Sequence, residues 1–340
     1  MKKLLLILTL LMTAFSVKAQ DIQYSQFYAA PLYLNPAMTG ATELTRVGVN
    51  YRNQWPGLNQ DITSYSAYLD HYFFDANSGV GLLFNSSQQS QLQLSTQEIG
   101  LSYAYRLQLG RASYLRFGGQ ANYVSRDAYF GDLVFGSQLD VDNDQPIGPS
   151  GESLGNGNKH QFLDYNFGMF FNTQSIWLGI AGHHLTQPQT SFVEDSRSRL
   201  PMKISAHGGF QWDLAGGSFS MASNRTMSLA FNYKKQGAFN QLDLGTQVNL
   251  DPVVLGAWYR GIPLVKNGVI NGKANHESLI GLLGFSFDNG IEVGYSYDFT
   301  ISQLNQAQSG GAHEISFRYS FLAGNDRLRG KTSSMPCFKY

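Results

Sequence analysis

Three aspartates at alternate positions, Asp140, Asp142 and Asp144, resemble the opening of a calcium loop. A hard cation of this kind takes several oxygen ligands from closely spaced carboxylates. The run then departs from that pattern: no glycine stands at the sixth position, Gly151 occupies the twelfth, and Glu152 comes one residue late. A solvated acidic loop is the better reading, with calcium as the secondary one and no other cofactor expected. His183-His184 is the second candidate for metal chemistry. It falls on an alternating segment, where neighbouring side chains face opposite sides, so the pair is read as structural. No H-E-x-x-H or P-loop pattern occurs, and Asp195 has no diagnostic spacing to a serine or histidine. The single Cys337 excludes both a disulfide framework and a multi-cysteine zinc site. These residues point away from an enzyme.

The elements that carry them are unusual in composition. Charged residues make up 14%, aromatics also 14%, and there are 36 glycines. A soluble globular domain carries about 25% charge. The 24 basic and 24 acidic side chains cancel, so no basic field exists to attract nucleic acid. Lys2-Lys3, the apolar run Leu4 to Phe15 and the small-residue end Val17-Lys18-Ala19 form a secretory signal, with cleavage expected before Gln20. Residues 1–19 are therefore assigned to a signal peptide and the chain to an exported protein.

Beyond it, no run of 18 apolar residues exists, so helical spans are not expected. Period-two alternation recurs instead, as in Ile99, Leu101, Tyr103, Tyr105, Leu107 and Leu109 interleaved with Gly100, Ser102, Ala104, Arg106 and Gln108. That pattern places one face in an apolar phase and the other in a polar one. Fourteen such segments cover about 44–53, 62–73, 79–86, 96–109, 113–125, 161–172, 175–185, 202–213, 225–234, 240–250, 252–260, 276–287, 290–300 and 311–322. The phases of 175–185 and 252–260 are ambiguous, which leaves 12 or 16 strands open.

The connections sort by parity. Those after even-numbered segments are tight, apart from Leu214 to Asn224, whereas those after odd-numbered segments include the long stretches 126–160, 186–201, 261–275 and 301–310. Short periplasmic turns and long external loops are expected of an outer-membrane barrel with both termini in the periplasm. The fold class is thus all-β, a transmembrane antiparallel barrel over residues 44–322, contacting outer-membrane lipid through aromatic girdles. Its inward phase holds Arg46, Arg52, Arg106, Arg116, Lys203, Lys234 and Arg318 against Asp70, Glu98, Asp164, Asp213, Asp243, Glu292, Asp298 and Glu314. A selective porin biases one sign at its constriction, so this balanced set reads as a cross-linked, partly occluded interior, with a wet channel as the alternative.

Residues 20–43 form a segment ahead of the barrel. They include Gln23, Tyr24, Ser25, Gln26 and Phe27, then Pro31-Leu32-Tyr33-Leu34-Asn35-Pro36, ending at Gly40 and leading into Tyr51, Arg52 and Trp55. Two prolines, several aromatics and a turn glycine suit an irregular plug or belt against the barrel. The Q-D-x-Q-Y-S-Q-F start, the P-L-x-x-N-P-A-x-x-G block and the Y-R-N-Q-W strand end resemble the PorP/SprF family of type IX secretion outer-membrane proteins. Gly79-Val80-Gly81 and the C-terminal Cys-Phe fit as well, while Ile22 stands where that family suggests proline. The resemblance implies a role in type IX secretion, as a machinery component or as a helper for one large surface adhesin, including gliding adhesins, with a C-terminal secretion domain. Its partners would be that secreted surface protein and the secretion machinery, including a periplasmic component.

The loops 126–160 and 186–201 are the expected holding surface for such a partner. Tyr129, Phe130, Leu133, Phe135 and Phe192 are its expected anchors, because aromatic side chains carry interface energy. Packing of these rings within the loops is the alternative. Residues 323–340 form a basic tail expected in the periplasm. The competing function is an outer-membrane diffusion channel for a small solute.

Overall fold

The computed structural model describes residues 21–58, 61–90, 93–128, 139–140, 145–146, 159–192, 198–214, 225–266, 274–302 and 306–323. Fourteen antiparallel strands close into one barrel. They are β1 (Thr45–Gln54), β2 (Ile62–Phe73), β3 (Ser78–Gln89), β4 (Leu94–Gly110), β5 (Ser113–Asp127), β6 (Lys159–Asn172) and β7 (Ile176–His183), followed by β8 (Lys203–Asp213), β9 (Thr226–Gln236), β10 (Phe239–Asn249), β11 (Val253–Lys266), β12 (Ala274–Ser286), β13 (Ile291–Thr300) and β14 (Ala312–Phe321). Each strand pairs with its sequence neighbour. Closure is made by β1 on β14, in register from Thr45 opposite Phe321 to Gln54 opposite Ala312. Closure removes both sheet edges, so each strand has a hydrogen-bonded neighbour on both sides, as a lipid environment requires. A two-residue pairing, Leu139–Asp140 with Gln145–Pro146, stands apart from the barrel.

Alternation decides which face meets lipid. On β4, Ile99, Leu101 and Tyr103 are exposed, whereas Ser102 and Ala104 are buried. On β2, Leu69 is 43% exposed while its neighbour Asp70 is fully buried. The outer face is therefore apolar and the interior polar, the reverse of a soluble domain. No helix among the described residues is long and apolar enough to cross a membrane; the crossing elements are strands. Tight turns such as 111–112 and 287–290 lie at the end that carries Thr45 and Phe321, and the long connections lie at the other, apart from 214–225 at the tight-turn end. Gly237-Ala238 is a two-residue exception at the long-loop end.

The two strands with ambiguous phase are informative. On β7 the buried face carries Trp177 and Ala181, and on β11 it carries Val254 and Trp258. Over most of their length both faces of these strands are apolar, which blurs the alternation. The inner face is apolar because something apolar sits against it. Trp177 and Trp258 belong to one buried cluster with Phe27, Tyr28, Leu34, Ala37 and Met38 of the N-terminal segment. Ala29 packs similarly with Val254 and Leu282.

That segment is three short turns, Phe27–Ala29, Pro31–Leu34 and Pro36–Met38. Pro31 and Pro36 each sit at the start of a turn, where a missing N–H costs nothing and the fixed φ favours helical geometry. The Asn35 side chain caps the third turn by accepting from Ala37 N at 2.9 Å. Gly40 then takes φ +67°, a left-handed conformation that turns the chain towards β1.

Candidate functional site

The N-terminal segment lies inside the barrel, and the charged interior is built around it. At the tight-turn end, Arg46 on β1 donates to Asp70 on β2 at 2.6 Å and to the Met38 carbonyl at 3.0 Å. Asp70 also accepts from Gly40 N at 2.6 Å. Glu43, almost fully buried, is paired with Arg106 and Arg116. Arg116 in turn donates to the Ala41 carbonyl at 3.1 Å. A buried charge is costly unless paired, so each wall ion here holds the segment and its neighbour's charge together.

Midway, the segment's backbone presses against glycines in the wall. A side chain at Gly118 would place its Cβ 2.3 Å from Ala37 N, and one at Gly79 would lie 2.4 Å from the Thr39 carbonyl oxygen. Absent side chains permit this approach. Asn35 donates to the Met169 carbonyl at 3.0 Å and lies 3.2 Å from His207 Nε2. Trp177 Nε1 donates to the Tyr28 hydroxyl at 2.8 Å, and the Phe27 ring meets Trp258 edge-on at 5.1 Å. Fully burying each such large apolar side chain contributes about 1.5–3 kcal/mol.

Farther up, one network pins Ser25 and Gln26. Arg52 on β1 donates to Ser25 Oγ at 2.7 Å and to Asp298 on β13 at 2.8 Å. Ser25 Oγ donates to Asp298 at 2.8 Å, while the Ser25 and Gln26 amides donate to the two Glu314 oxygens at 2.6 and 3.1 Å. Arg260 on β11, with no exposed surface, joins Asp243 at 2.9 Å to Asp298 at 3.0 Å. Ser316 Oγ donates to Gln26 Oε1 at 2.6 Å. Two carboxylates and two guanidinium groups thus converge on two residues of the segment, with Asp243 joined through Arg260.

At the long-loop end the segment's first described residue, Asp21, meets Lys203 at 2.6 Å and His184 Nε2 at 2.8 Å. His184 Nδ1 lies 2.7 Å from Asp164. Burial opposes the charge on both Asp21 and His184, but their partners prevail. The Lys203 and His184 charges hold the Asp21 carboxyl well below the usual carboxylate range. Asp21 and Asp164 lift the His184 imidazole to about 9, against the resistance of burial. The geometry departs from the strand reading of His183-His184: β7 stops at His183, and His184 takes φ 57°. That turn brings His184 into the interior beside His183 instead of onto the outer face. Its two nitrogens are occupied by carboxylates, and among the described residues no group of three His, Cys, Asp or Glu side chains is placed to hold a metal ion.

Above the segment, at the long-loop mouth, lies a cavity of about 590 Å³, a size typical of small-ligand sites. Tyr24, Tyr33 and Leu34 contribute to its lining from the segment; Lys203, Asn232 and Lys234 do so from the wall.

The resembling block is distributed as follows. Tyr24, Ser25, Gln26, Phe27, Asn35, Pro36, Gly40 and Arg52 are buried in the lumen contacts described above. Gln23 and Trp55 line the cavity. Tyr51 instead lies tilted against Tyr65 on the outer face, with ring centroids 5.0 Å apart. Asp213, assigned to the inward phase, is exposed at the end of β8. Phe192 is half-buried, with the Arg126 guanidinium 5.7 Å over its ring. Tyr129, Phe130, Leu133, Phe135, Asp142 and Asp144 lie outside the described residues, as do the Asp140 side chain, the signal segment and residues 324–340. Asp21, Glu43, Arg260 and the role of His184 were not anticipated. A signal existed for two of them: Asp21 and Glu43 are the only charges in residues 20–43 and stand near its two ends.

The family described as "Type IX secretion system membrane protein PorP/SprF" matches residues 16–319. No match is found among curated proteins. Among solved structures, the CymD monoaromatic hydrocarbon channel is 15% identical, with 87% of this chain and 94% of that one covered and a TM-score of 0.48. Omp33 of Acinetobacter baumannii is 9% identical, with 83% and 100% covered and a TM-score of 0.40. A Pseudomonas aeruginosa FadL homologue is 13% identical, with 84% and 93% covered and a TM-score of 0.43.

Proposed function

Because the chain belongs to the PorP/SprF family of type IX secretion system membrane proteins, we propose that it supports the secretion or surface attachment of one cognate secreted protein, adhesin-like and carrying a C-terminal secretion domain. It is an outer-membrane barrel, and membership of that system implies machinery partners. The observation that supports a secretion role over solute diffusion is the filled lumen. The segment from Asp21 to Glu43 reaches β1, β3, β5, β7, β8, β11, β13 and β14, so it touches every side of the barrel. A diffusion channel needs a continuous wet path, and this segment interrupts it. The ions that fix it are mostly buried and mutually paired, which suits a permanent fitting better than a selectivity filter.

In this reading the long loops hold the cargo outside, with Tyr129, Phe130, Leu133, Phe135 and Phe192 as anchors. The tail 323–340 faces the periplasmic machinery. Calcium at Asp140, Asp142 and Asp144 would act only by ordering the outer loop. Phe192 already has the Arg126 guanidinium over its ring.

Deletion of the gene followed by surface proteomics tests the proposal. Loss of one large surface protein with normal uptake of small solutes is the expected result. Unchanged surface proteins with impaired uptake of a solute would overturn it in favour of the channel. Replacing Phe130 and Phe135 with serine should release the cargo into the medium while the barrel still inserts.

A further inference from the structure

The cavity above the N-terminal segment holds a cation, Lys234, whose ammonium makes no hydrogen bond to its carboxylate partner. Its charged groups pair off in turn. Lys203 takes Asp21 at 2.6 Å, and Asp243 is held by Arg260 at 2.9 Å and by Gln241 at 2.9 Å. Glu277 lies 3.9 Å from Arg260. Lys234, whose side chain lines the same cavity, has Asp243 Oδ2 at 3.6 Å, beyond hydrogen-bond reach. Its ammonium is thus ion-paired with Asp243 but makes no hydrogen bond to it. Beside it stands Asn232, two positions along β9 on the same inward face and with no exposed surface. Neither the amide nitrogen nor the amide oxygen of Asn232 has a hydrogen-bond partner, and the Ser205 hydroxyl on the adjacent strand is likewise buried and unpartnered. Both residues line the cavity.

Buried polar atoms left unmatched are costly and call for a partner. The set has a definite chemistry. An ammonium and a hydroxyl supply donors for the two oxygens of a carboxylate. An asparagine offering both a donor and an acceptor matches the C=O and N–H of a peptide group. The aromatic side chains of Tyr33, Trp55 and Phe239 supply apolar surface for what precedes them, and Phe239 is 46% exposed at the rim.

We propose that this cavity binds the C-terminal end of a polypeptide entering from the long-loop side, with its terminal carboxylate on Lys234 and Ser205 and its last peptide group on Asn232. The assignment rests on the cavity's own chemistry; it deepens the secretion reading by giving the cargo's chain end a place to sit, and it can fail without that reading failing.

The test uses the full-length barrel, purified in detergent, and calorimetric titration with N-acetyl-Ala-Ala-Phe as the free acid and as the amide. The acid is expected to bind at least tenfold more tightly than the amide. Lys234→Gln should reduce that ratio below twofold, whereas Lys235→Gln, on the opposite face of the same strand, should leave it unchanged. Asn232→Ala should weaken acid and amide alike. Equal binding of acid and amide to the native barrel would overturn the proposal without reference to any variant. So would no binding of either peptide, or octanoate binding as tightly as the tripeptide acid. A barrel that passes this test but whose deletion leaves every surface protein in place would refute the secretion reading alone.

Discussion

Arg52 Nη2 sits 2.8 Å from Asp298 Oδ2, and the Ser25 hydroxyl is hydrogen-bonded to both residues. Arg52 lies on β1 and Asp298 on β13, with Glu314 of β14 opposite Arg52 in the closing pair. The ions that hold the N-terminal segment therefore straddle the seam where the barrel closes. Closure and occupation of the lumen share the same residues, so neither is expected to be stable without the other.

Removing one partner of a buried ion pair costs about 3–5 kcal/mol, because the remaining charge is left enclosed and unmatched. Arg52→Met should lower the urea midpoint of barrel unfolding, followed by the gel shift between heated and unheated samples. Ser25→Ala removes only a hydroxyl from the same network and should cost about 1–3 kcal/mol. Equal midpoints for Arg52→Met and the native protein would remove the network from the account of stability.

Gly118 and Gly119 are neighbours on β5 with opposite prospects. A Cβ at Gly118 meets the Ala37 and Pro36 backbone, while one at Gly119 meets nothing within 4 Å. Gly118→Val should displace the segment, at an overpacking cost of about 1–3 kcal/mol. Limited proteolysis should then cut within residues 21–43 while the strands stay protected. Gly119→Ala should leave the digestion pattern unchanged. Protection of the segment in Gly118→Val would mean that this close approach does not position it.

The mouth anchor should respond to pH in a defined direction. His184 faces Asp21 from the segment, Asp164 from β6, Lys203 from β8 and His183 from its own strand, with the Glu98 charge on β4 also acting on it. Its raised value means that its contribution is fully present below the ordinary histidine range of about 6.5 and is lost as pH rises through about 9. Asp21 is lowered, so its contribution is present above its ordinary range and is lost as pH falls. Protease sensitivity near Asp21 should therefore increase between pH 7 and 10. In His184→Gln it should already be high at pH 7 and change little. A flat profile in the native protein would detach the anchor from His184.

Much of this architecture was readable in the residues. Alternation such as Ile99 to Leu109 reports a strand between lipid and a polar interior, and it placed strands in all fourteen segments. It failed to give a phase for β7 and β11 because Trp177 and Trp258 face inwards onto Phe27 and Tyr28. The ambiguity was itself the footprint of the occupied lumen. The same strand ambiguity concealed Arg260, whose inward position depends on the phase of β11. Spacing along the chain could not show that Ser25 meets Asp298, 273 residues later, since that contact follows from closure. His184 was misplaced because a single left-handed residue at a strand end is invisible to a period-two pattern.

Conductance across a planar lipid bilayer tests the central claim that the N-terminal segment occludes the lumen and that the barrel serves secretion. The intact barrel inserted at pH 7 should pass almost no ionic current, and a Gly118→Val barrel should show discrete open events as the segment is displaced. Steady, porin-like current through the intact protein, unchanged by Gly118→Val, would contradict the account and favour the diffusion channel.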